Sequence, residues 1–169
     1  MSLQQSSGVL EMTRTFDAPR ELVFAAWTEA EHLAQWWGSP GIPIRVEKLD
    51  LRPGGIFLYS SEMPDGNVLY GKFTFREIER PERLVYVSAF SDAEGNTIRA
   101  PFGENWPLEI LGTVIFTEED GKTTIHTRSE PLDPSDAERE TFASATEMVA
   151  QGLEATFKQL DSYLERIRG

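Results

Sequence analysis

The residues able to do acid–base or ligating chemistry in this chain are few and far apart. It has two histidines and no cysteine, which removes disulfides, thiolate nucleophiles, zinc ribbons and iron–sulfur clusters together. His32 falls in a helical stretch. His126 falls in "TTIHTR", where alternation with Ile125 turns it to the water side of its strand. Two distant histidines among scattered carboxylates make no metal centre. No G-x-S-x-G, H-E-x-x-H, G-x-G-x-x-G, P-loop or EF-hand pattern occurs, so no metal or cofactor is expected. One carboxylate stands apart. Glu109 follows "NWPL" beside Trp106, at the head of a strand whose Ile110 and Phe116 point inward. Apolar surroundings would disfavour its charged form and suit it to general-base work, although parity places it opposite Ile110 and toward solvent. Arg99 and Glu104, in the loop 91–107, could anchor the polar tip of a ligand.

Apolar positions are more informative than these, because their spacing changes period along the chain. "VLEMTRTF" alternates as a strand over 9–16. "DAPRELVFAAWTEAEHLAQWWGSPG" is helical, with Asp17 capping a first helix that has Pro19 in its first turn, and Thr28 with Glu31 forming a capping box for a second. Strands follow at about 44–51, 55–61, 68–78, 84–90, 108–117 and 122–129, with Asp-Gly turns at 64–67 and 119–122. With the first strand this makes about seven, all joined by short links and therefore antiparallel. From residue 135 the chain is helical again to about 167, opening on a Ser135/Glu138 capping box. Such a helix would run about 50 Å in a domain about 40 Å across, so a break is expected near residues 142–144 or at Gly152. Residues 1–8 are expected to be a flexible start and 9–167 a single domain.

Seven strands about 4.8 Å apart make a sheet about 30 Å wide, and one helix is only about 10–12 Å thick. The sheet must curl around the helix, and the curl leaves either a filled core or a cavity. Parity supplies the candidate lining: Phe57 and Tyr59, then Leu69, Phe73 and Phe75, with Ile78 out of phase and marking a bulge. Ile110, Val114 and Phe116 share a face with Gly112, and Met148, Leu153 and Phe157 come from the helix. Trp36, Phe102 and Trp106 complete the set. Adjacent helical residues point about 100° apart, so Trp36 is expected inward and Trp37 under the Gly-Pro turn that follows. The same parity fits aromatics that simply fill a core. The long loop 91–107 carries Ile98, Phe102 and Trp106 and is expected to gate the cavity mouth. Ile56, Leu58 and Ile115 fall on the outer face, where an apolar patch suggests a homodimer.

The net charge of −12 repels phosphate backbones and anionic membranes, which argues against nucleic-acid and lipid-headgroup partners. Apolar runs are far short of the ~20 residues a spanning helix needs. "MSLQQSSGVL" lacks the basic and apolar regions of a secretory leader, so a cytoplasmic protein is expected.

"FDAPRELVFAAWTEAEHLAQWWG", followed by "DLRPGG", "EIERPERLVY", "APFGENWPLEILGTVIF" and "MVAQGLEATFKQLDSYL", resembles the bacterial activator-of-heat-shock-protein-90-ATPase-homologue-like family. That family lies within the START-like, birch-pollen-allergen-like (SRPBCC) superfamily. The likeness runs from about residue 11 to 167. It implies an α+β helix-grip fold, a curved antiparallel sheet gripping a C-terminal helix, with a cavity that in relatives takes lipids, hormones, polyketides or quinones. Where many relatives carry a tryptophan after the mid-helix glycine, this chain has Leu153, which leaves more room facing the sheet. Where many have histidine before Pro-Met, it has Ala100 before Pro101 and Phe102. Three functions remain open: binding a small apolar or aromatic ligand, a chaperone-linked interaction module, and a cavity-based enzyme of cyclase or hydrolase type. The separate N-terminal domain and asparagine- and tryptophan-rich motif of the eukaryotic co-chaperone are not in this sequence, which weakens the second.

Overall fold

The computed structural model describes residues 2–6, 9–38, 40–101 and 103–168. Alternating stretches become strands β1 (Ser2–Ser6), β2 (Val9–Phe16), β3 (Ile44–Leu49), β4 (Ile56–Glu62), β5 (Val68–Glu79), β6 (Arg83–Ser91), β7 (Thr97–Ile98), β8 (Ile110–Glu119) and β9 (Lys122–Pro131). The helices are α1 (Arg20–Thr28), α2 (Ala30–Trp36) and α3 (Asp136–Arg168). Among the described residues the strands form one curved antiparallel sheet, ordered β1-β2-β9-β8-β6-β5-β4-β3 with β7 beside β6. It is an α+β helix grip.

The seven expected strands are all present, and β1 and β7 are additional. Ser2–Ser6, expected as a flexible start, pair with β2 from Ser2↔Thr13 to Ser6↔Val9. They supply partners to a row of backbone groups that β2 would otherwise leave open at the sheet edge. The phase slip at Ile78 is a bulge between Phe75 and Glu77. The turn at 119–122 takes positive φ at both Asp120 and Gly121, as a two-residue hairpin of this twist requires.

Helix ends correct two expectations. Thr28 does not cap α2. Its Oγ1 donates to the Phe24 carbonyl at 2.8 Å, and α2 begins after Glu29 with no side-chain cap. Helix α1 starts after Pro19 rather than on an Asp17 cap, and its first N–H, from Arg20, reaches Glu118 Oε1 on β8 at 2.6 Å. The Ser135/Glu138 box forms as expected, with reciprocal bonds of 2.9 and 3.1 Å.

Helix α3 is continuous over 33 residues, without the expected break. Its first turns have partners of their own. Phe142 packs on Trp106 with ring centroids 5.7 Å apart, and Glu138 pairs with Arg99. Its second half enters the core through Phe157, Leu160 and Leu164. There Thr156 and Gln159 donate to the Gly38 carbonyl at 3.0 and 2.8 Å, tying the turn after α2 to the helix.

Candidate functional site

One end of the curled sheet is packed solid. Phe24, Trp27 and Trp36 from α1 and α2 meet Phe116 of β8 and Phe157 of α3, with ring centroids between 5.1 and 6.2 Å. All five are buried. Trp36 Nε1 donates to the Ala26 carbonyl at 2.8 Å. Nothing enters this end without displacing aromatic rings.

The other end differs because two inward positions are glycine. Inner-face rows run Tyr59–Gly71–Phe90 and Phe75–Tyr86–Gly112 across the sheet. A Cβ at Gly71 would lie 2.5 Å from Tyr59 Cζ and Oη, and one at Gly112 would lie 2.8 Å from Tyr86 Cε1 and Cζ. Both tyrosine rings therefore lie flat over a neighbouring strand instead of standing into the interior. Tyr86 also stacks on Phe73 at 4.0 Å and 12°. Trp37 is turned onto this group, 5.3 Å from Phe73 and 6.2 Å from Tyr59, rather than only under its turn. Its indole N–H donates to the Tyr59 phenolic oxygen.

Two cavities open beside the Tyr59 ring and share Tyr59, Gly71 and Phe90. One, of about 110 Å³, is lined also by Ser88, Trp106, Pro107, Leu108 and Ile110. The other, of about 160 Å³, is lined also by Ile42, Ser61, Met63 and Leu69. Among the described residues neither lining contains a charged side chain. Burial pushes the Tyr59 and Tyr86 phenols up from their ordinary value. The Trp37 bond partly offsets this at Tyr59, and a charge on Tyr59 would disfavour one on Tyr86. Both are protonated donors at neutral pH.

Of the residues expected to line a pocket, Tyr59, Leu69, Trp106 and Ile110 do. Phe57, Phe73, Phe75, Val114, Phe116 and Phe157 are core, as is Trp36. Leu153 is half-buried against that core. Met148 is 68% exposed and faces water, because α3 turns its Phe142, Thr146 and Ala150 stripe inward instead. Phe102 lies outside the described residues. Gly71, Ser88, Phe90 and Ile42 were missed. A glycine inside an alternating strand beside a tyrosine was the available cue.

The catalytic and anchoring candidates fare differently. Glu109 is half-buried and lines neither cavity; its carbonyl accepts from the Leu132 N–H at 2.9 Å. Arg99 holds structure together, donating to Glu138 and, at 3.3 Å, to the Trp106 carbonyl. The Arg99 guanidinium and the Ser135 N–H hold the Glu138 carboxyl below its usual range. His126 bonds Thr13 at 3.1 Å and Glu11 at 3.0 Å on the sheet's outer face. Glu29, Glu31 and His32 bring potential ligand atoms within 4.8 Å of one another, but His32 Nδ1 is engaged by the Tyr163 hydroxyl at 2.6 Å.

The loop after β6 is more structured than a free strap. Asp92 accepts the N–H groups of Glu94 and Asn96 at 3.0 and 2.9 Å, and Thr97–Ile98 return beside β6. The hairpin tip folds over the outer face, where Lys72 Nζ donates to the Gly95 carbonyl at 2.9 Å and Ile56 lies under Gly95. Of the expected outer patch, Leu58 is only 6% exposed, and Ile56 and Ile115 are half-buried. No helix among the described residues is long and apolar enough to cross a membrane.

A family model, Activator of Hsp90 ATPase homolog 1-like protein, matches residues 17–165. The fold is similar to that of protein Ms6760 from Mycobacterium smegmatis, with TM-score 0.80 and 23% identity over 99% of this chain and 98% of that one. It is similar to a protein from Arthrobacter aurescens at TM-score 0.80 and 24% identity, covering 98% and 91%. A protein from Staphylococcus epidermidis gives TM-score 0.79 and 25% identity, covering 98% and 94%. No curated protein matches the sequence.

Proposed function

Because the chain belongs to the Activator of Hsp90 ATPase homolog 1-like protein family, whose fold is known for ligand-binding cavities, we propose that it binds a small apolar or aromatic molecule at the open end of its sheet. The carrying observation is the uncharged, mostly apolar lining around Tyr59, Gly71 and Phe90. Ligand sites are concave and apolar with a few placed polar groups. Each cavity is smaller than the ~300 Å³ at which drug-sized sites begin, so the ligand is slender or flat and bridges the two across Tyr59. Trp106, Pro107 and Leu108 of the strap form one wall, and strap movement admits the guest.

No observation favours the other readings. Trp37, the aromatic best placed to meet a chaperone, is turned onto Tyr59 and Phe73. Of the patch expected for a homodimer, Ile56 lies under the chain's own hairpin and Leu58 is buried. The one general-base candidate, Glu109, lines neither cavity.

The test is native mass spectrometry of freshly purified protein, then a thermal-shift screen with flat aromatics and short acyl chains, on wild type and Trp106→Ala. A saturable shift of several degrees in wild type, weakened with faster ligand exchange in Trp106→Ala, supports the site and its moving wall. No shift with any probe removes the reading.

A further inference from the structure

The polar groups at the open end are few, neutral and mostly hydroxyls. Tyr59 Oη already accepts the Trp37 indole N–H, so the group it has left to offer is its own proton. The Gly71 void fixes the ring's orientation, because ring and strand can meet only where no Cβ intervenes. Tyr59 is also common to both cavities. A guest spanning them must therefore pass a preset O–H donor. No lysine, arginine, aspartate or glutamate lines either cavity among the described residues. An ionised guest would bury its charge without a counter-charge, which costs far more than a neutral oxygen held by one hydrogen bond.

We propose that the site selects uncharged, flat apolar molecules bearing a neutral acceptor oxygen of the carbonyl type, with the Tyr59 hydroxyl as the donor that recognises it. This rests on the ligand-binding reading above and specifies its chemistry. The Tyr59 hydroxyl keeps its proton well past neutral pH because burial raises it, so the donor persists across the physiological range. Selectivity arises because a guest without an acceptor leaves the buried O–H unpaired, and one with a carboxylate leaves a charge unpaired.

Three probes of one shape separate the terms: 2-acetylnaphthalene, 2-ethylnaphthalene and 2-naphthoate. Their affinities are measured by quenching of intrinsic tryptophan fluorescence, on wild type and on Tyr59→Phe. In wild type the ketone should bind about tenfold tighter than the ethyl compound, the size of one net hydrogen bond, and the carboxylate should be weakest. In Tyr59→Phe the ketone should fall to the ethyl compound's affinity while the ethyl compound is unchanged. Retained ethyl binding shows that the variant is folded and its cavity open. Equal binding of ketone and ethyl compound in wild type overturns the acceptor claim, as does a Tyr59→Phe protein that still prefers the ketone. A carboxylate that binds best overturns the neutrality claim. Failure of all three to bind overturns the ligand-binding reading itself, a different result from loss of preference among probes that bind.

Discussion

The two ends of the sheet interior are built from the same kinds of residue and finish differently. At the closed end, Trp27, Trp36, Phe116 and Phe157 meet edge to face and leave only core. At the open end, Tyr59, Phe90 and Trp106 are as aromatic, yet cavities remain among them. The difference lies in the neighbours. Gly71 lets Tyr59 lie down on the sheet beside the cavities, while the closed end is filled by rings from α1, α2 and α3. Aromatic content does not distinguish a wall from a filling. The residue next to the ring does.

Breaking the closed end should cost most. Phe116→Ala should lower unfolding free energy by about 3–5 kcal/mol, through lost burial plus the cavity left behind, read as a shifted denaturant midpoint at unchanged slope. Binding at the open end should survive in the fraction that stays folded. Gly71→Ala sharpens the contrast from the other side. Its Cβ would sit against Tyr59 Oη, so about 1–3 kcal/mol of overpacking cost is expected, with probe affinity lost more than proportionally because Tyr59 is pushed into the cavity. Smaller still is Ser135→Ala, which opens the capping box at the mouth end of α3. It should cost about 1 kcal/mol and loosen the Trp106 wall that Phe142 supports.

The last effects are pH limbs. Glu138 and Asp92 both titrate below the ordinary carboxylate range in the fold, held by Arg99 and by the Asn96 N–H respectively. A depressed folded value means stability present above about pH 4, the unfolded range, and lost as pH falls through the folded value. Arg99→Gln should flatten that acid limb, seen as a smaller change in melting temperature between pH 6 and pH 3. Tyr59 and Tyr86 act oppositely. Raised phenols stabilise below about pH 10, the unfolded value, and that stability is lost as pH rises above it. Ultraviolet titration should show three tyrosines, Tyr59, Tyr86 and Tyr163, ionising late, and Gly71→Ala should bring Tyr59 back toward normal.

Much of this architecture was legible from spacing. The period-two runs located seven strands, the slip at Ile78 located a bulge, and Ser135 with Glu138 located the start of α3. Continuity of α3 was not legible, because length against domain size says nothing of Trp106 and Arg99, which hold its first turns through Phe142 and Glu138. Parity put Phe57, Phe73 and Phe116 on the inner face, but depth along the curl decided that they became core. Nor could parity show that Ile56 would lie under Gly95 of the hairpin at Asp92–Asn96, since that cover comes from another strand pair. Trp37 was misjudged for a similar reason: the turn after α2 is pulled against α3 by Thr156 and Gln159, which swings the indole onto Tyr59.

The central claim, that glycine-made space at one end admits a guest while the other end stays closed, is tested most directly by amide chemical-shift mapping during titration with 2-acetylnaphthalene. Saturable shifts should centre on Gly71, Ser88, Phe90 and Ile110 and leave Phe24, Phe116 and Phe157 unmoved. Shifts centred on Trp27 and Phe157, or spread evenly with no saturation, would contradict it.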